Sequence, residues 1–299
     1  MYIRRRRLAR HGIFRAVPAR RRGRCTETVA AAPGNSSKKY GDVRRGVILT
    51  KSFHGQQDGR CRIGCAGWTI PKRHAAVFPA LGSHLGRYAG RFNAVEINSS
   101  FYRPHRRTTY ERWAASVPDD FIFAAKAPKE ITHRLHLRDA GVALEEFLEE
   151  VAGLGKKLGP LLFQLSPSLA FEPELVRSFL GSARARFDGN VVFEPRHVEW
   201  FTPGAEELLT EFRISRVAAD PPVAPGAGEP GGWTGLAHFR LHGSPRIYYS
   251  EYGPERIGVI ARQLARSEVH HPLWCIFDNT AAGAAIADAL ALQARLRGR

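Results

Sequence analysis

His238, Arg240 and His242 occupy alternate positions of the stretch HFRLHG, residues 238–243, with Phe239 and Leu241 between them. On an extended strand this spacing puts three basic or titratable side chains on one face and two apolar ones on the other. Such a face is costly to bury unless it lines a site. Two further stretches repeat the pattern. AVEINSSFY (94–102) runs into Glu96 and Asn98, and VVFEPRHVEW (191–200) runs into Glu194 and Arg196. Carboxylates and a histidine can move protons as general base and acid. Guanidinium groups and a lysine can bind a phosphate or a carboxylate.

The elements that must position these groups alternate along the chain. The pattern predicts strands over 61–68, 91–98, 120–128, 160–168, 190–197, 214–220, 236–243 and 272–279. Helices are predicted over 79–90, 108–116, 143–158, 173–185, 203–212, 254–266 and 281–296. The third is strongly amphipathic, with Leu144, Phe147, Leu148, Val151 and Leu154 on one face. A Pro/Gly-rich crossover, 221–232, carries no helical pattern. Near-continuous apolar strands suit parallel strands covered on both faces. Eight such units in about 240 residues predict a TIM-like (β/α)8 barrel with one irregular crossover. A doubly wound open sheet is the competing topology, but no early strand leads into a glycine-rich phosphate loop.

In a barrel the chemistry gathers at the C-terminal strand ends. Read in order, these ends are Trp68; Glu96 and Asn98; Lys126; Gln164 and Ser166; Glu194 and Arg196; Asp220; Arg240 and His242; Asp278 and Asn279. Lys126, Arg196 and Arg240 are expected to hold a small anionic substrate, with Glu96 or Glu194 as general base and His242 as acid or base. Trp68, Asn98, Tyr102, Gln164, Asp220, Asp278 and Asn279 are expected to complete the lining. Two other readings compete. The acids with His242 could hold a divalent metal, or the polar groups could satisfy one another as a buried network. His238 lies deeper and reads as a core histidine.

The formal net charge of +17 on 299 residues is concentrated at one end. Residues 1–62 hold 17 Lys and Arg against Glu27, Asp42 and Asp58, and the remainder holds 28 basic and 25 acidic residues. The leading segment, 1–60, includes RRRR at 4–7 and RRGR at 21–24 without sustained apolar periodicity. It reads as disordered: a tail, a transit peptide, or an arm for nucleic acid working with the aromatic and basic stretch 100–113. The domain then spans 61–299. Cys25, Cys61, Cys65 and Cys275 form no CxxC pair, and Cys61 and Cys65 lie too far apart on one strand to bridge. Reduced thiols and the absence of an apolar membrane-length run point to a cytoplasmic protein.

Seven motifs in order (IGCAGW, FNAVEINSSFY, FIFAAKAPKEITH, LGPLLFQLSPS, FEPRHVEW, FRLHG and FDNTAAGAAIADAL) resemble the domain-of-unknown-function 72 family, the YecE-like proteins, over roughly 62–296. The resemblance implies a TIM-like barrel. Such barrels resemble those of xylose isomerases and abasic-site endonucleases, which by fold analogy implies metal-dependent phosphoester chemistry as one expectation. Against the family pattern, Asp278 stands where an Asn pair is usual and Ser166 replaces a proline. The first change adds a negative charge that could favour a cation.

Overall fold

In a computed structural model of the chain, residues 61–268 and 272–298 are described. The basic segment 1–60, with Cys25 and the nucleic-acid arm read there, lies outside them. In chain order the strands are β1 (Cys61–Cys65), β2 (Ala94–Ile97), β3 (Ile122–Lys126), β4 (Leu158–Gln164), β5 (Val191–Glu194), β6 (Ile214–Arg216), β7 (Ala218–Asp220), β8 (Gly231–Gly232), β9 (Ala237–Leu241) and β10 (Leu273–Phe277). The helices are α1 (His84–Ala89), α2 (Arg107–Ala115), α3 (Gly141–Val151), α4 (Pro173–Arg184), α5 (Pro203–Glu211), α6 (Pro254–Glu268) and α7 (Ala285–Arg297).

The strands form two sheets, ordered β1-β10-β9-β7 and β2-β3-β4-β5-β6-β8, parallel throughout except for the short β8. The sheets meet at two seams. At the first, Ala66 bridges Glu96, and the Gly67 N–H donates to the Glu96 carbonyl at 2.9 Å. At the second, the predicted strand 214–220 divides at Val217. Its first half pairs with β5 and its second half with β9, while the Val217 N–H reaches the Phe193 carbonyl at 2.8 Å. These bonds join the two parallel sheets at both places.

Side-chain alternation sorts the strands into two cores. Ala94, Ala124, Leu162, Val192, Trp274 and Ile276 cluster on the inner face. Their neighbours Val95, Phe123, Ala125, Leu161, Phe163, Phe193, Cys275 and Phe277 face outward to the helices. There they meet Leu144, Phe147 and Val151 of α3 and Val176, Phe179 and Leu180 of α4. Both faces are apolar, so the strands read as continuous hydrophobic runs rather than as alternating ones. Cys65 and Cys275 are buried free thiols, and burial pushes Cys65 up to about 12.

Local chemistry explains where elements differ from expectation. The predicted helix 79–90 shrinks to α1 because Ser83 caps it, accepting from the Gly86 N–H at 3.0 Å. A separate 3-10 segment, Lys72–Val77, precedes it. The predicted helix 143–158 ends as α3 at Val151 and continues in 3-10 turns, where Gly155 at φ 54° turns the chain into β4. The crossover 221–232 stays irregular and contributes only β8, whose Gly232 N–H donates to Glu206. Among the described residues no helix is long and apolar enough to cross a membrane.

The inner face is tight where β1 meets β2. A Cβ on Gly64 would lie 2.1 Å from the Ala94 carbonyl oxygen, a backbone atom that cannot swing away. Gly64→Ala should therefore cost about 1–3 kcal/mol of stability, read as a lower urea midpoint at unchanged slope. An unchanged midpoint would show that the seam has slack.

Candidate functional site

Above the apolar inner layer the same alternation delivers charge. Glu96 follows Ala94 on β2, Lys126 follows Ala124 on β3, Gln164 follows Leu162 on β4, and Glu194 follows Val192 on β5. Arg240 follows His238 on β9, and Asp278 follows Ile276 just beyond β10. Glu96, Glu194, Arg240 and His242 have no measurable exposure. Ions this deep persist only when paired and hydrogen-bonded.

Arg240 supplies most of that pairing. Its Nε and Nη2 donate to the two oxygens of Glu96 at 2.9 and 2.7 Å. Nη1 donates to Glu194 Oε2, and Nη2 also donates to Asp278 Oδ2 at 2.9 Å. Glu194 takes Gln164 on Oε2 at 3.2 Å and Arg196 on Oε1. Burial alone would raise the Glu194 carboxyl, but Arg196, Arg240 and His242 outweigh it and hold it well below the usual range. Asp278 is likewise held low, against its burial, chiefly by Arg240 and His242. His242 sets Nδ1 3.1 Å from Asp278 Oδ2, and Nε2 2.8 Å from Glu194 Oε1 and 2.7 Å from Arg196 Nη2. Nε2 can donate to Glu194 or accept from Arg196, not both at once. The imidazole therefore has two proton states with partners ready for each.

The structure thus revises several expected roles. Arg240 points its donors at three carboxylates and presents no idle edge to a substrate anion. Glu96 and Glu194 accept from guanidinium groups on both oxygens, so neither is a ready general base. The added charge of Asp278 does favour a cation, and that cation is Arg240. A divalent metal fits this donor set poorly, because a guanidinium already stands among the carboxylates. Among the described residues no three His, Cys, Asp or Glu side chains are disposed to hold one.

Two cations remain less engaged. Lys126 is 4% exposed and makes no ion pair among the described residues; its Nζ lies 4.2 Å from the centre of the Phe101 ring. Burial and then the Arg240 charge lower it to about 8, against the pull of Asp278, Glu96 and Glu194. Arg196 engages only Nη2, leaving Nε and Nη1 without a hydrogen bond among the described residues. These two side chains come from the ends of β3 and β5, with Gln164 on the strand between them.

The other expected lining residues make contacts of their own, and Asp220 and Asn279 turn away from the cluster. Trp68 sits edge-on to Trp113 at 5.1 Å, and Tyr102 is exposed beside Phe101. Asp220 is in register with outward-facing Leu241 and binds Arg256 of α6. Asn279 ties the chain after β10 to Asp288 of α7 at 2.6 Å and to the Ser250 carbonyl at 2.9 Å. Asn98 keeps a buried Oδ1 with no partner among the described residues. Ser166 bonds Ser168 at 2.8 Å. Sequence alone placed Phe101 only within the aromatic stretch 100–113 and did not mark Tyr248. Tyr248 holds φ 69°, in the left-handed region, with its ring edge-on to His242 at 5.8 Å. Both belong to loops after strands, where no periodicity marks them.

A parallel α/β protein with a charged cluster at the C-terminal strand ends is the class these features define. The sequence profile described as "Protein of unknown function DUF72" matches residues 62–299, and the chain belongs to that family. The UPF0759 protein YecE of Escherichia coli (strain K12) is 33% identical over 165 residues, covering 53% of this chain and 58% of that protein. The UPF0759 protein YunF of Bacillus subtilis is 26% identical over 184 residues, covering 55% and 62%. The chain thus spans less than two thirds of the curated relatives it matches. A DUF72 family protein of Enterococcus faecalis V583 superposes with a TM-score of 0.67 at 23% identity, over 79% of this chain and 95% of that one. One from Thermotoga maritima MSB8 gives 0.66 at 22% identity, over 79% and 99%. At these identities the solved structures speak for the fold.

Two outcomes follow from the cluster. Arg240→Met leaves three buried carboxylates without their common partner and should cost about 3–5 kcal/mol in chemical denaturation. Adding Glu96→Gln should restore part of that loss; no recovery would mean that the charges are not what the arginine offsets. His238, fully buried against Trp274 with neither ring nitrogen partnered among the described residues, is held down to about 3 by burial and then by Arg240. Its ordinary value is 6.5, so the unfolded chain takes up a proton that the folded chain refuses. Stability should therefore fall as pH drops below about 6.5, with a slope approaching 1.4 kcal/mol per pH unit from this residue. In His238→Phe that slope should flatten between about pH 6 and 4; an unaltered slope would assign the acid sensitivity elsewhere.

Proposed function

We propose that this protein is an enzyme acting on a small anionic substrate, a phosphate or carboxylate, at the C-terminal mouth of a closed barrel. The observation that carries this reading is the contrast within one cluster. Arg240 is engaged through all three of its nitrogens, whereas Lys126 has no ion pair among the described residues and Arg196 keeps Nε and Nη1 for a partner from outside. An anion set against these two groups gains charge-assisted hydrogen bonds and compensates a buried ammonium. His242, with Asp278 on Nδ1, is the proton carrier, and Glu194 and Glu96 fix the electrostatics around it. Hydrolysis and isomerisation both use a group of this kind. Such an enzyme belongs in the cytosol. The nucleic-acid reading depends on residues 1–60, and nothing among the described residues favours it.

Thermal denaturation of the full chain with inorganic phosphate or glycolate tests the reading. A ligand that binds only the folded form raises the melting temperature. Lys126→Met and Arg196→Gln should each weaken the effect about 10- to 100-fold in ligand concentration, as expected for a lost hydrogen bond to a charged group. No shift with either anion in the parent protein would overturn the proposal.

A further inference from the structure

We infer that Lys126 is a nucleophilic amine that forms an imine with the carbonyl carbon of a small oxo-acid, while the open edge of Arg196 holds the substrate's carboxylate. The inference rests on the anion reading above and narrows it to a substrate class.

The geometry brings the neutral amine within reach at this position. Lys126 closes β3 on the inner face, where a charged lysine ordinarily pairs with an acid. Three acids surround the cluster, yet none lies within ion-pair distance of Nζ among the described residues, because Arg240 has drawn Glu96, Glu194 and Asp278 onto itself. The aliphatic stem is enclosed, and Nζ faces the Phe101 ring. A lysine stripped of water by burial beside another cation is in the environment that frees the amine lone pair. With the group at about 8, about a tenth of the side chains are neutral at pH 7, some hundreds of times more than for an ordinary lysine. The adduct is also accommodated. A protonated imine is a more delocalised cation with fewer N–H donors to satisfy than an ammonium, and the Phe101 face lies 4.2 Å from Nζ to receive it.

The step balances. The Nζ lone pair adds to the carbonyl carbon, and the C=O pair moves to oxygen, which takes up the proton released from nitrogen. The resulting hydroxyl leaves as water with a second proton. Overall, ammonium plus carbonyl gives protonated imine plus water. The carbonyl carbon then carries an electron sink, and His242 is the base and acid available for proton transfer beside it.

The test uses the full chain, glyoxylate as the carbonyl probe, glycolate as its counterpart without a carbonyl, and cyanoborohydride to fix any imine. Peptide mapping by mass spectrometry reads each lysine. At low glyoxylate, Lys126 should be labelled at least about 10-fold more than Lys72 or Lys129, as expected from its larger neutral fraction. Labelling should rise with pH about a midpoint near 8. Arg196→Gln should lower labelling at Lys126 alone. Labelling of Lys126 no greater than that of Lys72 or Lys129 overturns the inference. If glycolate raises the melting temperature while Lys126 stays unlabelled, the imine is overturned and the anion site stands. Selective labelling with no shift from either glycolate or inorganic phosphate upholds the nucleophile and overturns the anion reading.

Discussion

A single buried guanidinium organises the inner end of this protein. Arg240 lies on β9, and its partners come from β2, β5 and the end of β10. Only β10 is its hydrogen-bonded neighbour on that side of the sheet. A planar group with five fixed donors can satisfy three carboxylates at once, which a lysine in the same place could not. Each carboxylate costs several kcal/mol to desolvate. Strand registers that misplaced one of them would therefore be penalised, and the arginine helps to specify the alignment of strands that never touch.

The same interaction decides which charges remain for chemistry. Because Arg240 holds Glu96, Glu194 and Asp278, the ammonium of Lys126 is left beside an aromatic ring instead of a carboxylate. Because Glu194 binds Arg196 through one nitrogen, the other two keep no hydrogen bond among the described residues. His242 bridges the two halves, touching Asp278 on one nitrogen and the Glu194–Arg196 pair on the other. The cluster is thus neither a uniform substrate pocket nor a wholly self-satisfied network. One side is closed by internal pairing, and that closure defines the other.

The apolar layer beneath has its own role. Small residues, Gly64, Ala66, Ala94 and Ala124, line the β1–β3 side, and Trp274 fills space on the β10 side. This asymmetry leaves room for His238 to stack on Trp274 at 6.1 Å with planes 5° apart. It also gives the charged layer a low-dielectric floor, where electrostatic effects count for more than they would in water.

The parallel class was legible in the continuous apolar runs of the strands, and the inward placement of charged residues in the two-residue alternation within a strand. Glu96, Glu194, Arg240 and His242 were found that way. Their division of labour was not, since it depends on which side chains meet across strands up to 144 residues apart, as Arg240 and Glu96 do. Alternation also misled beyond strand ends: Asn279 and Asp220 fall on the outward side and bind α7 and α6 instead. Phe101 and Tyr248 carry no periodic signal, because loop backbone, not residue spacing, aims them at the cluster. Sequence fixes which groups face inward through the two-residue period of a strand; only tertiary packing pairs buried charges and leaves Lys126 over.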